Sequence, residues 1–232
     1  MTLAKHPVRI SIPPFSIDGT LTLPDHPRGI VLFAQGSAAS RVGWRDRAIV
    51  EVLHRGHVGT AVLDLIGREE GEVDEDTHLE WFDIHLLAGR LVIATDWLGQ
   101  QAETRDLPLG YLGAGDGASV AMTAASARSL VVRAVVLRSG RPDLIAAALT
   151  TVATPTLFIV GGEKHALLPS NQRALEMLAA TDKQLRIIPG SELAQTAQVT
   201  REWFTTYLPP IRPSRSRAID PSVEARGRNQ IR

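Results

Sequence analysis

"GYLGAGDGASVAM", residues 110–122, has the outline of a strand that turns sharply into a helix. Closely spaced glycines followed by small residues are the signature of a nucleophile elbow. There a catalytic side chain stands on a strained strand-to-helix turn that tolerates only small neighbours. The centre of this turn is Gly115, which has no side chain. The stretch that follows, "SVAMTAASA", predicts a helix of small residues able to approach a sheet closely.

Working outward, short β-branched runs alternate with amphipathic stretches, the pattern of a mostly parallel sheet with crossover helices. "VRISI" (8–12) and "TLTL" (20–23) flank a Pro-rich turn and Asp18-Gly19, which predicts an antiparallel start. "GIVLFA" (29–34), "GTAVLDL" (59–65), "LPLGYLGA" (107–114), "VVRAVVLRSG" (131–140), "TPTLFIVGG" (154–162) and "QLRIIPG" (184–190) read as buried strands. Between them, 45–55 predicts a helix with Gly56 as its C-cap. Residues 82–98 give the clearest helix, with Ile84, Leu87, Leu91, Ala94 and Leu98 at helical spacing. Pro142 to Leu149 predicts a short helix, Ser170 or Asn171 a helix cap, and "VTREWFTTYL" (199–208) the last helix. About eight strands and six helices result, an α/β fold with helices on both faces and no room for a large cap domain.

The 232 residues suit one α/β domain over 1–209, followed by an Arg-rich tail over 210–232. At 44% apolar the chain buries a real core. It has no cysteine, hence no disulfide, thiolate nucleophile or Cys-based metal site. The N-terminus lacks an apolar signal segment and no apolar run approaches the roughly 18 residues of a membrane span, so a soluble cytoplasmic protein is expected. A formal net charge of zero argues against a nucleic-acid footprint over the whole surface. The tail carries six arginines against Asp220 and Glu224, with Pro and Ser between them, and reads as disordered and solvated.

The blocks "GIVLFAQGSAASR", "FDIHLLAGRLVIATDWL", "LGYLGAGDGASVAM", "RSGRPDL" and "PTLFIVGG" resemble, in order and spacing, the small dienelactone-hydrolase-like α/β hydrolases, some of which are fused to a phosphoribosyltransferase domain. The resemblance covers roughly residues 8 to 208. It implies the α/β-hydrolase fold: an eight-stranded, mostly parallel sheet with a Ser at the elbow centre, an acid after a later strand and a His after the last. This sequence departs at each place. The elbow centre is Gly115, and the acid's position falls on Lys164, with Glu163 one place earlier. The stretch "SELAQTAQ" after the last strand holds no His, and all seven histidines precede that strand. The His-Gly that relatives often carry after the first buried strand is Gln35-Gly36 here.

Three groups compete to replace the lost triad. Asp116 becomes a carboxylate nucleophile if the elbow has slipped by one residue, since Ala114 and Ala118 are small; otherwise it sits in a helix's first turn, favoured by the dipole. Ser37 lies in the loop that supplies an oxyanion donor, where loop hydrogen bonding is the simpler role. Glu163 and His165 follow a buried strand at the edge where α/β sites form, though adjacent turn residues usually point apart. The acidic stretch Glu69 to Asp76 matches no metal pattern and reads as a solvated loop. Trp81, Trp97 and Trp203 read as core or interface anchors. No cofactor or metal is expected.

A triad acts as a unit, so its joint loss points to a catalytically degenerate scaffold. The expected function is ligand binding, regulation or scaffolding through a pocket bounded by Gln35, Gly36, Ser37, Gly115 and Asp116. The tail or helix 199–208 would serve a protein partner. The rival is an active hydrolase of esters or lactones rebuilt around Asp116, Ser37 or His165.

Overall fold

The structure, a computed structural model, describes residues 2–34, 44–66, 83–141, 145–190 and 193–210. Strand β1 (Leu3–Ile12) reverses at Pro13-Pro14 into β2 (Phe15–Pro24), antiparallel to it. Asp18 and Gly19, expected at the turn, lie inside β2 opposite Arg9 and Val8. Two consecutive prolines cannot donate to a ladder, so the reversal falls on them. Asp18 instead accepts two hydrogen bonds from the Arg9 guanidinium, at 2.7 and 3.0 Å.

The chain continues through β3 (Gly29–Ala34), α1 (Trp44–Arg55), β4 (Val58–Asp64), α2 (Ile84–Leu98), β5 (Leu109–Ala114), α3 (Gly117–Ala127), β6 (Val132–Arg138) and α4 (Ala146–Leu149). Then come β7 (Thr156–Gly161), a 3₁₀ helix (Gly162–Leu167), α5 (Leu168–Met177), β8 (Lys183–Ile188) and α6 (Leu193–Tyr207). The eight strands form one sheet in the order β1-β2-β4-β3-β5-β6-β7-β8. β1, β2 and β4 pair antiparallel; from β4 through β3 to β8 all pairs are parallel. This is the predicted α/β-hydrolase arrangement, with β5 near its centre and no cap domain among the described residues.

Both faces of the sheet are covered, which explains why β3 is buried at every residue and reads as an unbroken apolar run. Tyr111, Leu91, Ala121 and Phe158 belong to the core beneath α2 and α3. Ile49, Leu53, Val136 and Phe204 belong to the one beneath α1 and α6. The Tyr111 hydroxyl meets Thr95 Oγ1 at 2.6 Å, and burial pushes its phenol up to about 12, so it stays neutral. Asp83 caps α2 by accepting from the N–H groups of His85 and Leu86, at 2.9 and 3.0 Å. At the other end of the sheet, Arg28 donates to the Thr205 carbonyl (2.8 Å), closing the C-terminal turn of α6.

Gly56 directly follows α1 and its N–H caps the helix on the Val52 and Leu53 carbonyls, at 3.2 and 2.9 Å, as expected. The left-handed residue is the next one, His57 (φ 58°), whose ring reaches the Asp25 carbonyl at 3.0 Å. Two helix ends differ from expectation. α5 starts at Leu168 with Pro169 in its first turn. Ser170 and Asn171 therefore lie inside the helix and do not cap it; both side chains turn back to the Leu167 carbonyl. α6 starts at Leu193, six residues before the predicted Val199, because "LAQTAQ" continues the helix's buried stripe through Thr196 and Ala197. No helix among the described residues is long and apolar enough to cross a membrane.

His54 is the fold's one clear acid-sensitive core group among the described residues. It is buried and shares a 2.9 Å hydrogen bond with Thr60 Oγ1. Burial first, then Lys5, pushes its pKa below the ordinary 6.5, while Glu51 opposes the shift. A depressed imidazole pKa adds stability that is full above the unfolded value and erodes as pH falls below it. The melting temperature is expected to drop between pH 7.5 and pH 5.5, by more in the native chain than in a His54→Gln variant; thermal unfolding monitored by circular dichroism measures both.

Candidate functional site

β5 ends against the start of α3 with almost no space between them. A Cβ on Gly113 would overlap the Gly117 carbonyl and sit 2.7 Å from Ala118 Cα. One on Gly140, in the loop after β6, would overlap Ala118 Cβ. Small residues are thus required at 113 and 140 by the approach of helix to sheet, whatever stands at the turn's centre. That centre is Gly115, with φ +56°, in the left-handed region that L side chains rarely adopt. Its N–H donates to the Arg138 carbonyl (2.9 Å), and its carbonyl accepts from Ala118 N–H (3.2 Å). Among the described residues a Cβ at Gly115 would meet nothing within 4 Å. The backbone of the elbow is intact.

Asp116 follows in right-handed conformation (φ −66°, ψ −29°) at the N-cap of α3. The left-handed residue is therefore Gly115, and the turn has not slipped onto Asp116. The Asp116 side chain is exposed and makes no capping hydrogen bond, and the helix dipole favours its charge there. Of the N–H groups opening α3, those of Ala118 and Ser119 donate to the Gly115 and Asp116 carbonyls, at 3.2 and 3.0 Å, which leaves those of Asp116 and Gly117 as candidate donors to a carbonyl or carboxylate oxygen. Ser119, one turn further, is fully buried, and its Oγ donates to the Arg141 carbonyl at 3.2 Å.

The family resemblance places an acid in the turn after β7 and a His in the connection after β8. Beyond β7 the chain enters the 3₁₀ helix with a kink at Lys164, the acid's position. His165 is exposed on it, and no hydrogen bond or ion pair joins His165 to Asp116 among the described residues. Glu163 lies on the same turn; its side chain is outside the described residues, as are Gln35, Gly36, Ser37, Ser40, the acidic stretch 69–76 and Trp81. Between β8 and α6 only residues 189–192 intervene. There Gly190 (φ +62°) comes so near Gly162 that a Cβ on Gly162 would lie 2.8 Å from Gly190 N. The two connections touch backbone to backbone. Among the described residues no group of three or more His, Cys, Asp or Glu side chains could hold a metal ion.

Two neighbours of the elbow escaped sequence analysis. Arg138, at the end of β6, makes an ion pair with Asp46 in the first turn of α1; both side chains are about four-fifths buried. The pair ties the start of α1 to the strand end that receives the Gly115 N–H. Asn171, fully buried, donates to the Gly140 carbonyl at 3.2 Å and so braces the loop behind the elbow. Nothing in a single sequence links positions 92 residues apart, although "RSGRPDL" contains both Arg138 and Gly140. A separate groove of about 600 Å³ runs between α1 and α6, lined by Val52, Arg55, Ala197 and Arg201 among others. No elbow residue contributes to it.

No protein-family profile matches the chain. It is 43% identical to a dienelactone hydrolase from Anabaena variabilis whose crystal structure superposes with a TM-score of 0.85, over 89% of this chain and 99% of that one. Two curated proteins from Mycobacterium tuberculosis, strains CDC 1551 and H37Rv, are 41% identical over 214 residues; each bears the provisional name phosphoribosyl transferase. The alignment takes in 89% of this chain and 47% of each, so the chain spans about half the length of these relatives. An esterase from Pyrococcus furiosus, 14% identical with a TM-score of 0.71 over 89% of this chain and 94% of that one, shares the fold.

The elbow's two kinds of glycine make opposite demands. Gly115→Ala is expected to cost about 1 kcal/mol, the strain of a left-handed alanine with free space around it. Gly113→Ala, which must push α3 off the sheet, is expected to cost about 3 kcal/mol. Urea denaturation of the two variants tests the order.

Proposed function

Since this chain belongs to the dienelactone hydrolase family, we propose that it keeps the family's pocket without its hydrolytic chemistry and works as a ligand-binding or regulatory protein of the cytoplasm. The observation that carries this reading is Gly115: the turn holds its left-handed geometry, and its centre has no side chain to attack a substrate. Lys164 stands at the acid's position, and the four-residue connection after β8 contains no His. Knocking out the nucleophile or the base of a triad alone costs orders of magnitude in rate, and all three functions are absent together.

The retained parts bind and do not cleave. The N–H groups of Asp116 and Gly117 offer donors to a carbonyl or carboxylate, and Gly115 lacks the side chain that a serine would set against that group. Asp116 adds an exposed carboxylate at the rim, suited to a hydroxyl or amine on the same ligand. Gln35, Gly36 and Ser37 complete this pocket by their place in the sequence after β3. A protein partner reached through the Arg-rich tail or α6 belongs to the same proposal. It agrees with the curated relatives, which carry this region as half of a longer chain.

Purified protein incubated with short-chain aryl esters and lactones is expected to give no turnover above an Asp116→Ala control. Gly115→Ser, which restores a hydroxyl without acid or base, is expected to stay inactive as well. Turnover by the native chain that disappears in Asp116→Ala or His165→Ala would overturn the proposal and establish a rebuilt hydrolase.

A further inference from the structure

α1 and α6 lie side by side on one face of the sheet. The groove between them, about 600 Å³, falls within the roughly 300–1,000 Å³ of small-molecule sites. Its walls are short apolar side chains, Ala48 and Val52 from α1 and Ala194 and Ala197 from α6. The alanines leave open a space that larger side chains would fill. Charge gathers at one end. Arg55 is the last residue of α1, and the stem of Arg201 lies on the next residue: a Cβ on Gly56 would sit 3.0 Å from Arg201 Cγ and Cδ. Glycine at 56 thus lets Arg201 lie across the end of α1 beside Arg55, and both arginines line the groove.

Arg201 stands apart from the other shielded arginines. Among the described residues Arg28, Arg90, Arg128 and Arg138 are also half-buried or buried, and each donates to a carbonyl or a carboxylate. Arg201 is half-buried and, among the described residues, donates to no protein atom; nor does the exposed Arg55. Glu51 lines the groove one turn before Arg55, at the spacing that favours an ion pair, yet no ion pair joins it to either guanidinium. A stem laid on the surface with its head in water accounts for one such arginine. It does not account for two at the same end of one trough, where like charges repel.

Charge and shape together select the occupant. The guanidinium fork matches a carboxylate, which accepts two parallel hydrogen bonds. Along α1 the groove runs about 10 Å from Ala48 to Arg55, at the helical rise of about 1.5 Å per residue, room for a hydrocarbon chain against the alanines. The segment 210–232, with its six arginines, is repelled by the same two guanidiniums. A second copy docked here on a two-fold axis would bury both arginines of each chain against a single Glu51 from each.

We propose that the groove between α1 and α6 is a binding site for a medium-chain aliphatic carboxylate, with the alkyl chain along the alanines and the carboxylate on Arg55 and Arg201. The site shares no residue with the elbow, so the proposal stands whether the elbow binds or cleaves. Calorimetric titration of the full chain with octanoate tests it. The native protein is expected to bind octanoate saturably, and to bind octan-1-ol, which lacks the charge, about tenfold more weakly. Arg201→Gln is expected to weaken octanoate by about tenfold, and Glu51→Gln to strengthen it. Ala194→Trp, which sets an indole in the groove from an exposed position, is expected to abolish binding, with far-ultraviolet circular dichroism unchanged in all three variants. Octanoate held instead by the elbow would bind every variant as it binds the native chain, and that result would overturn the proposal. So would octan-1-ol binding as tightly as octanoate, or a native chain that binds no octanoate because its own tail or a second copy fills the groove.

Discussion

The close approach of α3 to β5 is the constraint on which the centre of this protein depends. With Gly113 and Gly140 bare of side chains, the helix settles onto the sheet until Ala118 fills the gap between them. The chain can then leave β5 and enter α3 only through a single left-handed residue, Gly115. The helix beyond it is lined with alanines because only small side chains fit that separation; eight of its eleven residues are buried. An elbow is therefore a packing solution before it is a catalytic one. It persists here with glycine at its centre because the sheet still needs it.

Around that fixed point the remaining walls are held by long-range polar contacts. The Arg138–Asp46 ion pair links α1 to β6, and its buried position makes loss of one partner costlier than the pair's net contribution. Ser119 and Asn171 bind the carbonyls of Arg141 and Gly140, so two adjacent residues of the loop after β6 are anchored from two different helices. A turn braced this way is held in place without any catalytic requirement. Preorganised donors serve binding as well as transition-state stabilisation.

Most of the fold was legible because its strands are continuous apolar runs and α2 has an unambiguous period. Strand and helix boundaries failed where local chemistry competed. Asp18-Gly19 looks like a turn, but Pro13-Pro14 cannot pair and takes the reversal. Ser170 looks like a cap, but Pro169 opens the helix before it. Val199 looks like a helix start only because the polar residues "QTAQ" hide a buried stripe. At the site, Gly115 at the centre of the elbow could be read from order along the chain, whereas the positions expected for an acid and a His came only with the family resemblance. Arg138, Asp46 and Asn171 could not be, since their partners are set by strand order and not by neighbours in sequence.

The junction of the connections after β7 and β8 couples two segments that are separated along the chain. Gly162 and Gly190 lie against each other, and four residues join β8 to α6. A side chain at Gly162 would have to push the two backbones apart, so the turn after β7 cannot be enlarged without moving the one after β8. The two turns therefore form one mechanical unit at this end of the sheet, and a change in either is transmitted to the other.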